Sequence, residues 1–277
     1  MQYPTEVEII SAIDRYRQEV EQHNRRAFTR FVEHAESAGQ NTAKSLEQIS
    51  EARQRFLYRL LCFSRPERLP QSLCIDTPAD VFTKWTQLVR AFELDGVRIG
   101  EDGETRAEQR EVYKRGIMNG LQDTTTEYQD ETGEDAELEF PQDFWSLMGV
   151  VDSLVGHGWP QYREEGQQIR FWDGLGEEEG EVEDRLVDPE DIAEQLEEWD
   201  VMAGWESGSG PETTCYILFC RSRDDERKGW AWRYVADMGQ YGTEVFDNVV
   251  ELLQWYETLH KPDLEDLDVW MRDIFKN

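Results

Sequence analysis

The sequence predicts an α+β protein: a small antiparallel sheet covered by helices, preceded by an all-helical N-terminal region. Three observations carry that expectation. Apolar residues recur at three- and four-residue steps through much of residues 1–121. The period changes to two over 214–220 and 230–235. Helical spacing then returns after residue 245 and runs towards the end of the chain.

Residues 5–64 read as a helical hairpin. Ile9, Ile13, Tyr16, Val20, Ala27 and Phe31 form the first stripe, broken only near Asn24. Residues 35–42 supply the turn, and Leu46, Ile49, Phe56, Leu57, Leu60 and Leu61 form the second stripe. Two antiparallel helices joined by a short loop bury such stripes against each other. Near 78–92, Thr77 can cap a helix and Pro78 suits its first turn. Val81, Phe82, Trp85, Leu88, Val89 and Phe92 give that helix its apolar face. Turns at Asp95-Gly96 and Asp102-Gly103 precede a helix over 104–121, with Tyr113, Ile117 and Leu121 on one side. Residues 122–139 hold eight acids, no base and three consecutive threonines, and read as a solvated acidic linker. The expected division is therefore a helical region, 1–121, and an α+β domain, 140–277.

The second region opens on a short helix, with Phe144, Leu147 and Met148 on one face. Asp188-Pro189-Glu190-Asp191 starts another, whose inward residues are Ile192, Leu196 and Trp199. Acids in its first turn complement the helix dipole, whereas those near its end do not, so apolar packing must hold it. Residues 206–211 are glycine-rich without a P-loop lysine and read as a flexible loop. The 214–220 run is apolar on both faces, as a central strand is. A charged turn over 221–229 leads to 230–235, with Trp230, Trp232 and Tyr234 on one face, completing a hairpin. Two helices close the chain, one carrying Phe246, Val249, Val250, Leu253 and Tyr256. The other, after Pro262, carries Leu267, Trp270, Met271 and Ile274.

The order of elements in 140–258 resembles the SUKH superfamily, which includes the fungal Smi/Knr-type cell-wall regulators. The resemblance rests on Phe140-Pro141 with Phe144, Gly156, an acidic insert bearing Trp199, the 214–235 hairpin, and a closing helix from Phe246 to Tyr256. Phe140 stands where the family usually has leucine, and the stretch 200–212 is longer than the family pattern. The resemblance implies a non-enzymatic binding fold, used for immunity against toxins in bacteria or as a regulatory scaffold in fungi. It leaves residues 1–139 outside.

Charge narrows the function classes. Residues 1–100 carry 14 acids and 14 bases, whereas 101–277 carry 46 acids and 15 bases, so the net charge of −31 sits in the second part. Nine of the ten tryptophans lie there too, which suits an acidic surface around an aromatic core. Such a surface repels nucleic acid and anionic membranes, because carboxylates against phosphates reverse the counterion-release term. No apolar run approaches the ~20 residues of a membrane span, and residues 1–10 lack the pattern of a signal peptide. Cys62, Cys74, Cys215 and Cys220 form no C-x-x-C pair and no zinc spacing, and read as buried free thiols. The cytoplasm is the expected compartment, and the nucleus fits as well.

No catalytic constellation, cofactor motif or metal site is expected. With 60 acids, carboxylate spacings carry no information. His157, in Gly156-His157-Gly158-Trp159, lacks a nucleophile in a recognisable setting. It would be the centre of the rival reading, a hydrolase or transferase of unfamiliar type. In the acidic run, Glu178 occupies the place where an EF-hand loop needs glycine. Residues 173–200 hold 14 acids and one base. Carboxylates ~4 Å apart repel by about 1 kcal/mol even in water. Such a segment therefore gains by meeting a basic protein partner, with Glu177, Glu178, Glu179, Glu181, Glu183 and Asp184 as the expected contacts. A third reading, mimicry of nucleic acid, would require carboxylates spaced like phosphates.

Overall fold

The computed structural model describes residues 3–39, 80–100, 103–132, 138–156, 169–175, 182, 184–210, 212–225, 229–259, 265 and 269. They fall into two compact units. One comprises the described residues of 1–15, 97–156 and 169–256; the other comprises those of 16–96 and 257–277.

Helix α1 (Glu6–Gly39) begins with a capping box. The Glu8 N–H donates to Thr5 Oγ1 at 3.4 Å, and the Glu8 carboxylate accepts from the Thr5 N–H at 2.7 Å. In the second unit, the part of α1 from Tyr16 onward packs with α2 (Asp80–Thr83) and α3 (Trp85–Phe92). Trp85 meets Phe28 edge-on at 5.3 Å and donates its indole N–H to Glu21 at 2.8 Å. Asn24, which breaks the apolar stripe, is buried and donates to the Leu94 carbonyl at 2.7 Å. The interruption is a polar anchor for the chain after α3, not a weak point in the helix. The expected second helix of the hairpin, with its stripe from Leu46 to Leu61, lies outside the described residues.

In the first unit, β1 (Val97–Arg98) pairs with β2 (Ser153–Leu154) as a two-residue ribbon. Helix α4 runs from Gly103 to Thr132, so the helix expected over 104–121 continues through the first part of the expected linker. Tyr113, Ile117 and Leu121 are all buried, as the spacing required. Tyr113 accepts the indole N–H of Trp205 at 3.0 Å and lies edge-on to Trp172 at 6.2 Å. Residues 97–121 therefore share a core with the residues after 140, and a division at 122–139 does not separate them.

Four antiparallel strands form the main sheet in the order β3-β4-β5-β6. They are β3 (Trp199–Gly210), β4 (Thr213–Ser222), β5 (Ala231–Asp237) and β6 (Thr243–Phe246). The expected hairpin is present: Ile217 faces Tyr234, and Phe219 faces Trp232. Strand β3 corrects the loop expected over 206–211. Its glycines permit the close approach that a side chain would block. A Cβ on Gly204 would stand 2.5 Å from Leu218 Cδ2, and one on Gly208 would strike the Arg170 carbonyl. Register shifts between Val201 and Ala203, and between Glu206 and Gly208, let the strand bend around its neighbours.

Strand alternation divides the core between the two faces of this sheet. One face carries Ile217, Trp205, Trp232 and Tyr234 towards Phe140, Phe144 and Trp172; Phe140 stacks on Trp205 at 5.8 Å, and Phe144 lies edge-on to Trp172 at 5.2 Å. Phe144 belongs to α5 (Gln142–Met148). Helix α7 (Val249–Tyr256) follows β6 and buries Val249, Leu252, Leu253 and Tyr256. The other face carries Val201, Tyr216, Leu218, Cys220 and Val235 against Ile192 of α6 (Pro189–Gln195), Leu196 directly after it and Trp199 at the start of β3. The two buried free thiols, Cys215 and Cys220, lie on opposite faces, as their spacing required. The closing helix expected after Pro262 falls almost wholly outside the described residues.

Ile192, Leu196 and Trp199 are each at most 9% exposed. Replacing any one of them with alanine should cost about 2–5 kcal/mol, since each leaves a cavity against a sheet that cannot collapse. Urea titration should show this as a lower midpoint at unchanged slope.

Candidate functional site

The face of α6 turned away from the sheet belongs to the described part of the acidic segment. Asp188 caps the helix, accepting from the Glu190 N–H at 2.9 Å, and Pro189 starts the first turn. With Ile192, Leu196 and Trp199 turned inward, Asp184, Asp188, Glu190, Asp191, Glu194, Glu197 and Glu198 are all exposed. Arg185, the one base in this stretch, turns aside to Asp173 at 3.5 Å. The result is a row of carboxylates on a rigid support.

Two arginines tie the end of this row to the sheet. Arg223 donates to the Glu197 carbonyl at 2.8 Å and to Asp200 at 2.7 Å, and Arg221 reaches Asp200 at 2.9 Å. The hydrogen bond from Arg223, opposed by slight burial and helped by Arg221, holds the Asp200 carboxyl below its usual range. Beneath the helix, Arg233 is completely buried. Its guanidinium lies 4.9 Å from the Trp199 ring centre and donates to Asp247 at 3.0 Å, to the Gly229 carbonyl at 3.2 Å and to the Cys220 carbonyl. A buried cation with this many acceptors is satisfied, and it offsets part of the acidic charge above it.

Of the expected contacts, Asp184 is placed, exposed, beside Arg185. Glu177, Glu178, Glu179, Glu181 and Glu183 lie outside the described residues, as does His157. The exposed acids of α6 and its turn extend the expected site towards Glu198.

Sequence reading missed a buried carboxylate. Asp143 is buried in the first turn of α5, and its oxygens accept from Tyr234 Oη at 2.7 Å and from the N–H groups of Val249 and Phe144 at 3.0 Å each. Burial raises its pKa above the usual value, against the lowering effect of these three donors. The Tyr234 hydroxyl is pushed well up, by burial first and by Asp143 second. Perturbed pairs often mark catalytic centres. Here both carboxylate oxygens are occupied by donors of the fold itself, which leaves the pair a structural role. The signal for it was slight: an acid in a first turn is usually exposed.

Burial likewise raises the Cys215 thiol, with Asp173 and Glu206 adding to it, so this sulfur stays protonated and inert. Among the described residues, no group of His, Cys, Asp or Glu side chains could hold a metal ion, and no helix is long and apolar enough to cross a membrane. Comparison with protein-family models, with characterised proteins and with solved structures finds no match for this chain. The class defined by fold and site is thus an α+β protein with an acidic helical face.

Asp143→Asn should destabilise the fold by about 1–3 kcal/mol at pH 7, because an amide N–H₂ would face a backbone donor at one of the two oxygen positions. The pH dependence has a definite sign. A raised folded-state pKa means that the folded chain holds this proton more tightly than the unfolded chain. The cost of the buried charge is full above the raised pKa and fades as pH falls through it towards 3.8. The stability advantage of the unmodified protein over Asp143→Asn should therefore grow between pH 7 and pH 4 in parallel urea titrations. A gap that stays constant or narrows would contradict this.

Proposed function

We propose that this chain is an acidic protein–protein interaction module that recognises a basic protein partner through the carboxylates of 173–200. The observation that carries the proposal is the row of exposed acids on α6 and its turn, held by Ile192, Leu196 and Trp199 on the sheet. Acids far from the start of a helix gain nothing from its dipole and repel each other. A basic surface relieves that repulsion, so the charge pattern favours a cationic partner. Electrostatic complementarity of this kind acts mainly on encounter rate and specificity. The resemblance of 140–258 to the SUKH superfamily gives the proposal two concrete forms, a regulatory scaffold or an immunity-type inhibitor. Function within the cytoplasm or nucleus is part of the same reading.

Affinity capture with mass spectrometry should identify the partner, and association kinetics should then be measured across salt concentrations. Association should slow steeply between low salt and 0.5 M, as screening shortens the reach of the acidic face. Replacing Glu177, Glu178, Glu179, Glu181 and Glu183 with glutamine should slow association by about tenfold at low salt, an effect of the size steering produces. An unchanged rate for that variant, with the same partners captured, would defeat the proposal.

A further inference from the structure

An open groove of about 740 Å³ runs between the first turns of α1 and the N-terminal part of α7, both within the first unit. Its walls carry apolar side chains that the fold leaves uncovered. Val7 is 76% exposed and Tyr3 44% exposed, and Val250 is partly exposed on the opposite wall. Neighbouring positions on α1, Ile9, Ala12 and Ile13, are buried as the core requires. Val7 therefore stands off the packed stripe, where burial in the core does not account for it.

Each wall also presents a carboxylate fixed by its own helix start. On α1, Glu8 is held by Thr5, through the backbone N–H and the hydroxyl at 2.8 Å, which keeps its carboxyl below the usual range. On α7, Asn248 accepts from the Glu251 N–H at 3.0 Å while Glu251 reaches back to the Asp247 N–H at 3.1 Å. A capping box on α1 and a related pair of cap bonds on α7 thus place two carboxylates beside the apolar walls. Among the described residues of the lining, Arg15 is the single cation. Burial raises the Tyr3 hydroxyl pKa, and the charge of Asp143 adds to it against the opposing effect of Arg233. The charge of the groove is therefore negative, as is that of the chain.

We infer that this groove docks a short basic–apolar helical segment of a protein partner, apolar side chains against Tyr3, Val7 and Val250 and lysines or arginines at Glu8 and Glu251. The mode is an amphipathic helix laid into a helix-lined groove. The charge of the lining selects a cationic segment over an acidic one, and disfavours a second copy of a chain with net charge −31. The inference rests on the reading of this chain as a binder of basic partners, and adds a place where specificity beyond charge can arise.

The test uses the full chain and two labelled 14-residue peptides of leucine and lysine. One has helical apolar spacing at i, i+3, i+4 and i+7; the other is a scrambled isomer of equal charge. Fluorescence anisotropy should show the amphipathic peptide binding about tenfold tighter, a factor equal to ~1.4 kcal/mol. Val7→Ser should erase that preference. The pair Glu8→Gln with Glu251→Gln should weaken the amphipathic peptide by about tenfold while keeping the fold, since glutamine also serves in a capping box. Circular dichroism should be unchanged in these variants, and urea titration should show a cooperative transition in each. Glutamine at 177, 178, 179, 181 and 183 should weaken both isomers alike. If only the groove variants act, the groove stands and the acidic-run proposal falls. If the isomers bind equally, or Val7→Ser keeps the preference, the groove inference falls while the acidic-run proposal stands. If sedimentation shows self-association that Val7→Ser abolishes, the groove is a self-contact and the inference is overturned.

Discussion

The carboxylate of Asp143 is the point on which the first unit turns. One group joins the start of α5, the centre of β5 through Tyr234, and the start of α7 through the Val249 N–H. Each of these donors would otherwise be a buried polar group without a partner, at a cost of about 1–3 kcal/mol each. The arrangement explains why a charge is tolerated in an aromatic core: three donors converge on it, and together they locate two helices against one strand. Tyr256, at the other end of α7, plays the matching part, with its hydroxyl donating to the Ile169 carbonyl. Helix α7 is thus held at both ends by polar contacts and along its length by Val249, Leu252 and Leu253.

The same balance between apolar support and charge governs the other face of the sheet. Helix α6 has few favourable local interactions beyond its Asp188 cap, and its outer face is crowded with like charges. It stays in place because Ile192, Leu196 and Trp199 fit a surface built by alternate residues of three strands. Arg233 emerges from that same alternation, buried beneath Trp199 with acceptors from the β4–β5 hairpin and Asp247. A positive charge under an acidic helix lowers the repulsion the helix would otherwise bear. The row of acids is therefore a feature of a packed element with a rigid base.

Much of this was legible in the residues. Stripes at helical spacing located α1, α3 and α4, and the buried positions Tyr113, Ile117 and Leu121 followed from them. The β4–β5 hairpin followed from its period of two, and the α6 cap from Asp188-Pro189. Strand β3 was less legible, because its alternation is broken by two register shifts and by Gly204 and Gly208. Locally, Glu206 to Gly210 has the composition of a loop. It is a strand because β4 offers a ladder and because the Arg170–Phe171 backbone approaches too closely for a side chain.

Composition and periodicity by themselves determined the fold class, the acidic character of residues 101–277, and which residues face inward on each helix. These properties are local: each depends on the spacing of apolar and charged residues within one element. The partners of those inward faces were decided only in three dimensions. Tyr113 meets Trp172 and Trp205 across long sequence separations, so residues 97–121 join the α+β core instead of the preceding helices. Asp143 and Arg233 became buried charges only because donors and acceptors remote in sequence converge on them. A charged side chain reads as exposed until the partners that compensate its desolvation are known, and tertiary packing alone supplies those partners.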